Sequence, residues 1–215
     1  MKNQFLKLCL VTQGMDKHFL QQAVAGGVTL VQLRLKNKKP DDFYHAACAI
    51  KAILDPLHVP LIINDNAVLA KEIDAAGVHL GQSDMPPEEA RELLGPGKII
   101  GWSIETLEQL DQANALSCID YVAASAVFPS QTKTDCKTIW GIDGLKKIVE
   151  LSHHPVVAIG GIHVHNAADV MATGVAGIAV VSAIHDALDP KEAAEKLSAV
   201  AGVARRRRRI LSSNK

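Results

Sequence analysis

The stretch Pro155-Val156-Val157-Ala158-Ile159-Gly160-Gly161-Ile162, followed by Ile178-Ala179-Val180-Val181, decides the fold. Neither apolar run alternates with polar residues, so both faces of each must be covered, as in parallel strands packed between two layers. Working outward, β-rich runs recur at 6–11, 28–34, 60–63, 77–80, 98–101, 119–124, 155–159 and 176–181. The segments between them carry helical spacing: Phe19, Val24 and Ala25 in the first, Phe43, Ala46, Ala47 and Ile50 in the second, Val170 and Met171 in the seventh. Eight strands each followed by a helix predict an α/β protein, a single (β/α)8 TIM barrel over 1–204. An open doubly wound sheet is the rival, because periodicity does not show closure; the lack of a GxGxxG after the first strand weakens it.

The 215 residues are 48% hydrophobic and 21% charged, with mean hydropathy +0.11, which excludes disordered and fibrous architectures. Six of the 23 basic residues, Arg205 to Arg209 and Lys215, fall in a tail at 205–215 that has no acid. That leaves 17 basic and 23 acidic residues in 1–204, a net −6, so a broad nucleic-acid surface is not expected. The tail reads as a frayed, solvated terminus, with RNA, an acidic partner or a membrane surface as weaker readings. The four cysteines show no CxxC spacing and the first residues no signal-type apolar region. With no apolar run near the ~20 residues that cross a bilayer, the expectation is a reduced, cytoplasmic chain without membrane contact. Oligomeric state is left open.

Chemistry in either α/β fold gathers at the carboxyl ends of the strands. On the second strand, alternation puts Gln32, Arg34 and Lys36 on one face and Val31, Leu33 and Leu35 on the other. The apolar trio suits the strand-to-helix interface, so the polar trio lines the barrel mouth and calls for a counter-anion such as a phosphorylated ligand. A solvated edge strand, or pairing with an acid such as Asp65, is the competing reading. The third and fourth strands end in Asn64-Asp65 and in Gly81-Gln82-Ser83-Asp84. Two carboxylates at neighbouring strand ends suit magnesium, although each could instead cap a helix. Ser103 offers a hydroxyl at the same rim, or a cap for the helix beginning near Glu105.

After the sixth strand, Ser130-Gln131-Thr132-Lys133-Thr134 combines hydroxyls with one ammonium, a phosphate-binding set or a plain polar loop. Gly160-Gly161 after the seventh strand and Val181-Ser182 after the eighth occupy the recurrent phosphate position of these barrels, which makes a second anion pocket; a tight turn is the plainer reading. The nine histidines show no metal spacing. His79 reads as a hydrogen-bonded core residue, and Trp102 and Trp140 as packing beneath loops.

These segments together resemble the thiamine-phosphate synthase family, also called thiamine-phosphate pyrophosphorylase. The likeness runs through 6–200, carried by Gly27-Val28 to Lys36, Ile63-Asn64-Asp65, Gly77 to Gln82 with Asp84, Phe128 to Lys133, Ala158 to Ile162 and Val181 to Ile184. The resemblance implies a transferase that joins 4-amino-2-methyl-5-hydroxymethylpyrimidine diphosphate to 4-methyl-5-(2-phosphoethyl)thiazole, or its carboxylated form, releasing diphosphate in thiamine biosynthesis. By position it implies that Gln32, Leu33, Arg34, Leu35, Lys36 and Asn64 bind the pyrimidine diphosphate with Ser103 and Lys133. It further implies that Asp65 and Asp84 hold Mg2+, and that Ser130, Gln131, Thr132, Gly161, Val181 and Ser182 hold the thiazole phosphate. Arg34, Lys36 and Lys133 are the expected catalytic cations.

Leu35 departs from the family's frequent Glu, Ser130 from a common Thr, and Ala123-Ala124-Ser125-Ala126 from a usual Gly-x-Gly-Pro; the extra volume puts the position of the sixth-strand loop in question. A related thiazole tautomerase is the nearest alternative. Ala126 stands where that type carries a histidine, and the diphosphate set is complete, so the synthase is favoured. A non-catalytic sensor of thiazole or thiamine phosphate, and an RNA-binding protein using the tail, are the readings from other classes.

Overall fold

The computed structural model describes residues 4–36, 38–130 and 137–213, with side chains described as far as residue 202. Eight parallel strands close into a barrel in chain order. They are β1 (Leu8–Thr12), β2 (Leu30–Leu33), β3 (Leu61–Asn64), β4 (Gly77–Leu80), β5 (Ile99–Ile104), β6 (Tyr121–Ser125), β7 (Val156–Ile159) and β8 (Gly177–Val180). Closure is made by β1 against β8, with Leu8, Cys9 and Leu10 opposite Ile178, Ala179 and Val180. Every strand therefore has two neighbours, and neither the open-sheet rival nor the edge-strand reading of β2 survives.

The outer face of the barrel is apolar because helices cover it. Helices α1 (Lys17–Ala25), α2 (Pro40–Leu54), α3 (Ala67–Glu72) and α4 (Pro87–Leu94) follow the first four strands, and α5 (Leu107–Asn114), α6 (Gly141–Leu151), α7 (Ala167–Ala172) and α8 (Ser182–His185) the rest. Val31, Leu33, Ile63, Val78, Leu80 and Ile100 join the helices in one buried cluster, against which Leu35 also packs. The alternation read on β2 holds: Gln32 faces the barrel interior with 5% of its surface exposed, while Leu33 is fully buried outside. A smaller interior cluster of Cys9, Val11, Leu30, Ile62, Ala123, Val157 and Ala179 plugs the barrel, making a packed floor beneath the mouth.

The last helix, α9 (Pro190–Ser213), packs on α1, α7 and α8. Among its residues with described side chains, Ala194, Leu197, Ser198 and Ala201 are buried. Among the described residues no helix is long and apolar enough to cross a membrane.

Candidate active site

Each site residue is delivered by a strand end. Gln32 and Asn64 sit side by side on β2 and β3, where Gln32 Nε2 donates to Asn64 Oδ1 at 2.7 Å. Beyond Asn64 the chain turns through Asp65 in the left-handed region, φ 65°. Its amide donates to the carbonyl of His79 at 2.8 Å, which ties this turn to the neighbouring strand. The cap of α3 is Asn66, whose side chain accepts from the Leu69 amide, so Asp65 is released from the capping role that competed for it. Asp84 is likewise no helix cap: Pro86 opens α4, and Asp84 Oδ2 accepts the Gly81 amide at 2.6 Å across its own turn.

The two carboxyls meet in hydrogen-bonding contact, and the Arg34 and Lys36 charges act on Asp65 from the β2 side. Burial, then the hydrogen bond and charge of Asp84, push the Asp65 carboxyl up to about 6, with the two cations pulling the other way. Adjacent carboxylates in a half-buried place call for a proton or a cation between them. As donors they are hard oxygens, two in number, at the mouth of an open cavity, which fits magnesium completing its shell with water and phosphate oxygens. Among the described residues no group of three or more His, Cys, Asp or Glu is placed to hold a metal ion.

These residues line one cavity of about 540 Å3, which reaches from the interior residues Leu30 and Val157 up to Arg34, Lys36, Asp65, Asp84 and Ser103. Sequence reasoning missed Glu105, Gln109, Tyr121 and Lys137, which line it too. The signal for Glu105 lay in the alternation of β5, since Ser103 and Glu105 share a parity. The fifth strand continues to Ile104 rather than stopping at 101, so Ser103 is a strand residue aimed inward and not a cap. Thr106 is the cap of α5, accepting the Gln109 amide at 3.3 Å.

His79 is buried as expected, yet it also lines the cavity. Its Nδ1 lies 2.9 Å from the Tyr121 hydroxyl and its Nε2 2.8 Å from Ser103 Oγ. Gly101, opposite Tyr121 in the register of β5 and β6, leaves room for that ring, because a Cβ there would overlap it. Both tryptophans pack: Trp102 donates to the Gly81 carbonyl at 3.3 Å and Trp140 to the Ser125 carbonyl at 3.2 Å.

A second cavity of about 590 Å3 opens at the ends of β7 and β8, lined by Phe128, Pro129, Gly161, Ile162, His163, Asn166, Ser182, Ala183 and Asp186. It adjoins the first along the chain: Ile159 lines one and Gly161 the other. Gly160 and Gly161 have φ of 104° and 62°, so the turn does require glycine. They also admit the segment after β6: a Cβ at Gly160 would stand 2.5 Å from that of Ala126, and one at Gly161 2.6 Å from the Pro129 carbonyl. Of the expected thiazole-phosphate set, Gly161 and Ser182 line this cavity, whereas Val181 packs toward the interior cluster and Ser130 lines neither cavity. Among the described residues its lining has no Lys or Arg, so an anion here would rely on backbone amides, hydroxyls and His163. Leu33 and Leu35 turn their side chains to the helices, leaving only backbone for a ligand. Gln131, Thr132 and Lys133 lie outside the described residues.

A closed parallel barrel with two cavities at the carboxyl ends of its strands places the chain among the (β/α)8 proteins. The family model described as thiamine monophosphate synthase matches residues 8–184. The thiamine-phosphate synthase of Vibrio campbellii is 54% identical over 181 residues, 84% of this chain and 88% of that protein. That of Chlamydia caviae is 45% identical over 203 residues, 92% and 95% of the two chains. In structure, the thiamine phosphate pyrophosphorylase from Pyrococcus furiosus superposes with a TM-score of 0.85 at 36% identity, covering 94% of this chain and 98% of its own. The chain belongs to the thiamine monophosphate synthase family.

Proposed function

We propose that this chain is a thiamine-phosphate synthase whose two cavities divide its two substrates, the interior one taking 4-amino-2-methyl-5-hydroxymethylpyrimidine diphosphate and the β7–β8 one the phosphate of the thiazole. The observation that carries the reading is the convergence of Arg34 and Lys36 on Asp65, itself in contact with Asp84, in one cavity. Cations and carboxylates on one wall suit a diphosphate delivered with a divalent ion.

The residues support a division of labour. With Gln32 Nε2 donating to Asn64 Oδ1, Gln32 keeps a carbonyl oxygen and Asn64 an amide nitrogen to offer. That acceptor and that donor match the exocyclic amine and a ring nitrogen of an aminopyrimidine. Arg34 is a planar fork suited to bidentate contact with phosphate oxygens, while Lys36 and Lys133 act as point charges that follow the charge building on the leaving group. Asp65 and Asp84 would hold magnesium, which supplies further positive charge to the departing diphosphate. The bond from methylene to diphosphate oxygen breaks with its electron pair going to oxygen, the aminopyrimidine spreads the resulting positive charge, and the thiazole nitrogen closes the new bond. That nitrogen carries no proton, so the protein needs no general base; its task is alignment and charge stabilisation.

Ala126 is buried against Gly160 and offers no acid or base at the position where a tautomerase would need one. Incubation of the purified protein with both substrates and magnesium should form thiamine phosphate and diphosphate in equal amounts, and chelation should stop it. Binding of both substrates with no product would overturn the synthase reading in favour of a sensor.

A further inference from the structure

Buried in the floor of the diphosphate cavity, a chain of three side chains leads from β6 through β4 to β5. The Tyr121 hydroxyl is 2.9 Å from His79 Nδ1, and His79 Nε2 is 2.8 Å from Ser103 Oγ. Tyr121 is 3% exposed and His79 7%. The rings stack with centroids 5.6 Å apart and planes tilted by 28°, so the imidazole is held in place as well as hydrogen-bonded.

The direction of the protons follows from counting donors and acceptors. Among the described residues, His79 is the one hydrogen-bond partner of the Tyr121 hydroxyl. Burial raises that phenol well above its ordinary value, so it keeps its proton and must place it. If Nδ1 carried a hydrogen, the phenol would accept and its own buried proton would have nowhere to go. Donation from Tyr121 therefore leaves Nδ1 as the acceptor and the hydrogen of the neutral imidazole on Nε2. Nε2 then donates to Ser103 Oγ and takes one of its two lone pairs, so the serine's own proton is not spent on the imidazole and is available to the cavity.

We infer that Tyr121 is a positioning residue: by fixing His79 in the Nε2-protonated tautomer it makes the Ser103 hydroxyl an obligate donor toward an anionic substrate oxygen. The inference rests on the reading of Ser103 as a contact of the diphosphate substrate. In the other tautomer the serine would donate to Nε2 and have no proton left for the phosphate, so this arrangement removes an unproductive orientation before the substrate arrives.

The test pairs spectroscopy with kinetics. In protein labelled with 15N-histidine and free of substrate, the His79 ring, assigned by its loss in His79→Asn, should show a protonated Nε2 and an unprotonated Nδ1; Tyr121→Phe should shift it toward a mixture of tautomers. The same variant should lower kcat/KM for the pyrimidine diphosphate roughly tenfold, the scale of one lost hydrogen bond, with thiazole phosphate KM unchanged. In a Ser103→Ala background, Tyr121→Phe should cause no further loss. Protonation of Nδ1 in the parent protein, or an equal loss in both backgrounds, would overturn the inference. Unchanged turnover in Ser103→Ala alone would overturn the assignment of that hydroxyl to substrate and the catalytic role of the relay with it, whatever tautomer is seen.

Discussion

Asp65 concentrates the electrostatics of the site in one residue. Burial first, and Asp84 second, lift its carboxyl from 3.8 to about 6, while Lys36 and Arg34 oppose the rise. Because the folded chain then holds that proton more tightly than the unfolded chain, metal-free protein should gain thermal stability as pH falls from about 6 towards 3.8. Magnesium held there would need the ionised form, so on the proposed reading the concentration required for half-maximal activity should climb as pH drops through the same value. Melting curves and magnesium titrations on either side of it check both signs; a magnesium requirement independent of pH would remove Asp65 from the metal. Asp65→Ala and Asp84→Ala should each raise that requirement by roughly tenfold or more, the scale of losing one charged ligand contact.

At the scale of elements, the segments after β6 and β7 are built as a pair. The amides of Val127 and Phe128 donate to the carbonyls of Ile159 and Gly160 at 2.9 and 3.1 Å, so the two segments run together beyond the barrel proper. The glycines permit the approach. Gly161→Ala forces a Cβ to 2.7 Å from that of Phe128 at a left-handed backbone, at a cost of about 1–3 kcal/mol. The expected result is a lower Tm together with weaker thiazole phosphate binding, read by thermal melting and calorimetry; a variant with parent-like values for both would mean the two segments yield freely. The extra volume of Ala123 and Ala126, in question from sequence alone, is taken up inside the barrel and against Gly160, and both alanines are buried.

Elements also show what a sequence can and cannot disclose. The eight strands were legible because burial on both faces leaves an apolar run of a definite length, and the β2 alternation because polar residues had to face the mouth. Asp65 and Asp84 were visible as carboxylates past strand ends, but their freedom from capping was not, since it depends on Asn66 and Pro86 taking the start of α3 and α4. Tyr121 escaped for a different reason. Tyr121 opens β6 and reads as one more apolar strand residue; only the register of β4, β5 and β6, with Gly101 between the two side chains, brings its hydroxyl to His79, 42 positions away in sequence. Such cross-strand partners leave no local pattern.

For the whole molecule, α9 packs against the barrel's outer helices through Ala194, Leu197 and Ala201. The segment 205–215 is a terminal charge run with no acid or aromatic residue, and its removal should leave kcat and KM within about twofold of the full chain. Loss of activity on that truncation would show that the tail serves the rim. If one rim holds two anion sites with separate duties, calorimetry of each substrate alone, with magnesium present, will separate them. Arg34→Ala should weaken the pyrimidine diphosphate at least tenfold and leave the thiazole phosphate unaffected, whereas Gly161→Ala should do the reverse. If either substitution weakened both ligands equally, or if Arg34→Ala left diphosphate affinity intact, the two-site account would be contradicted.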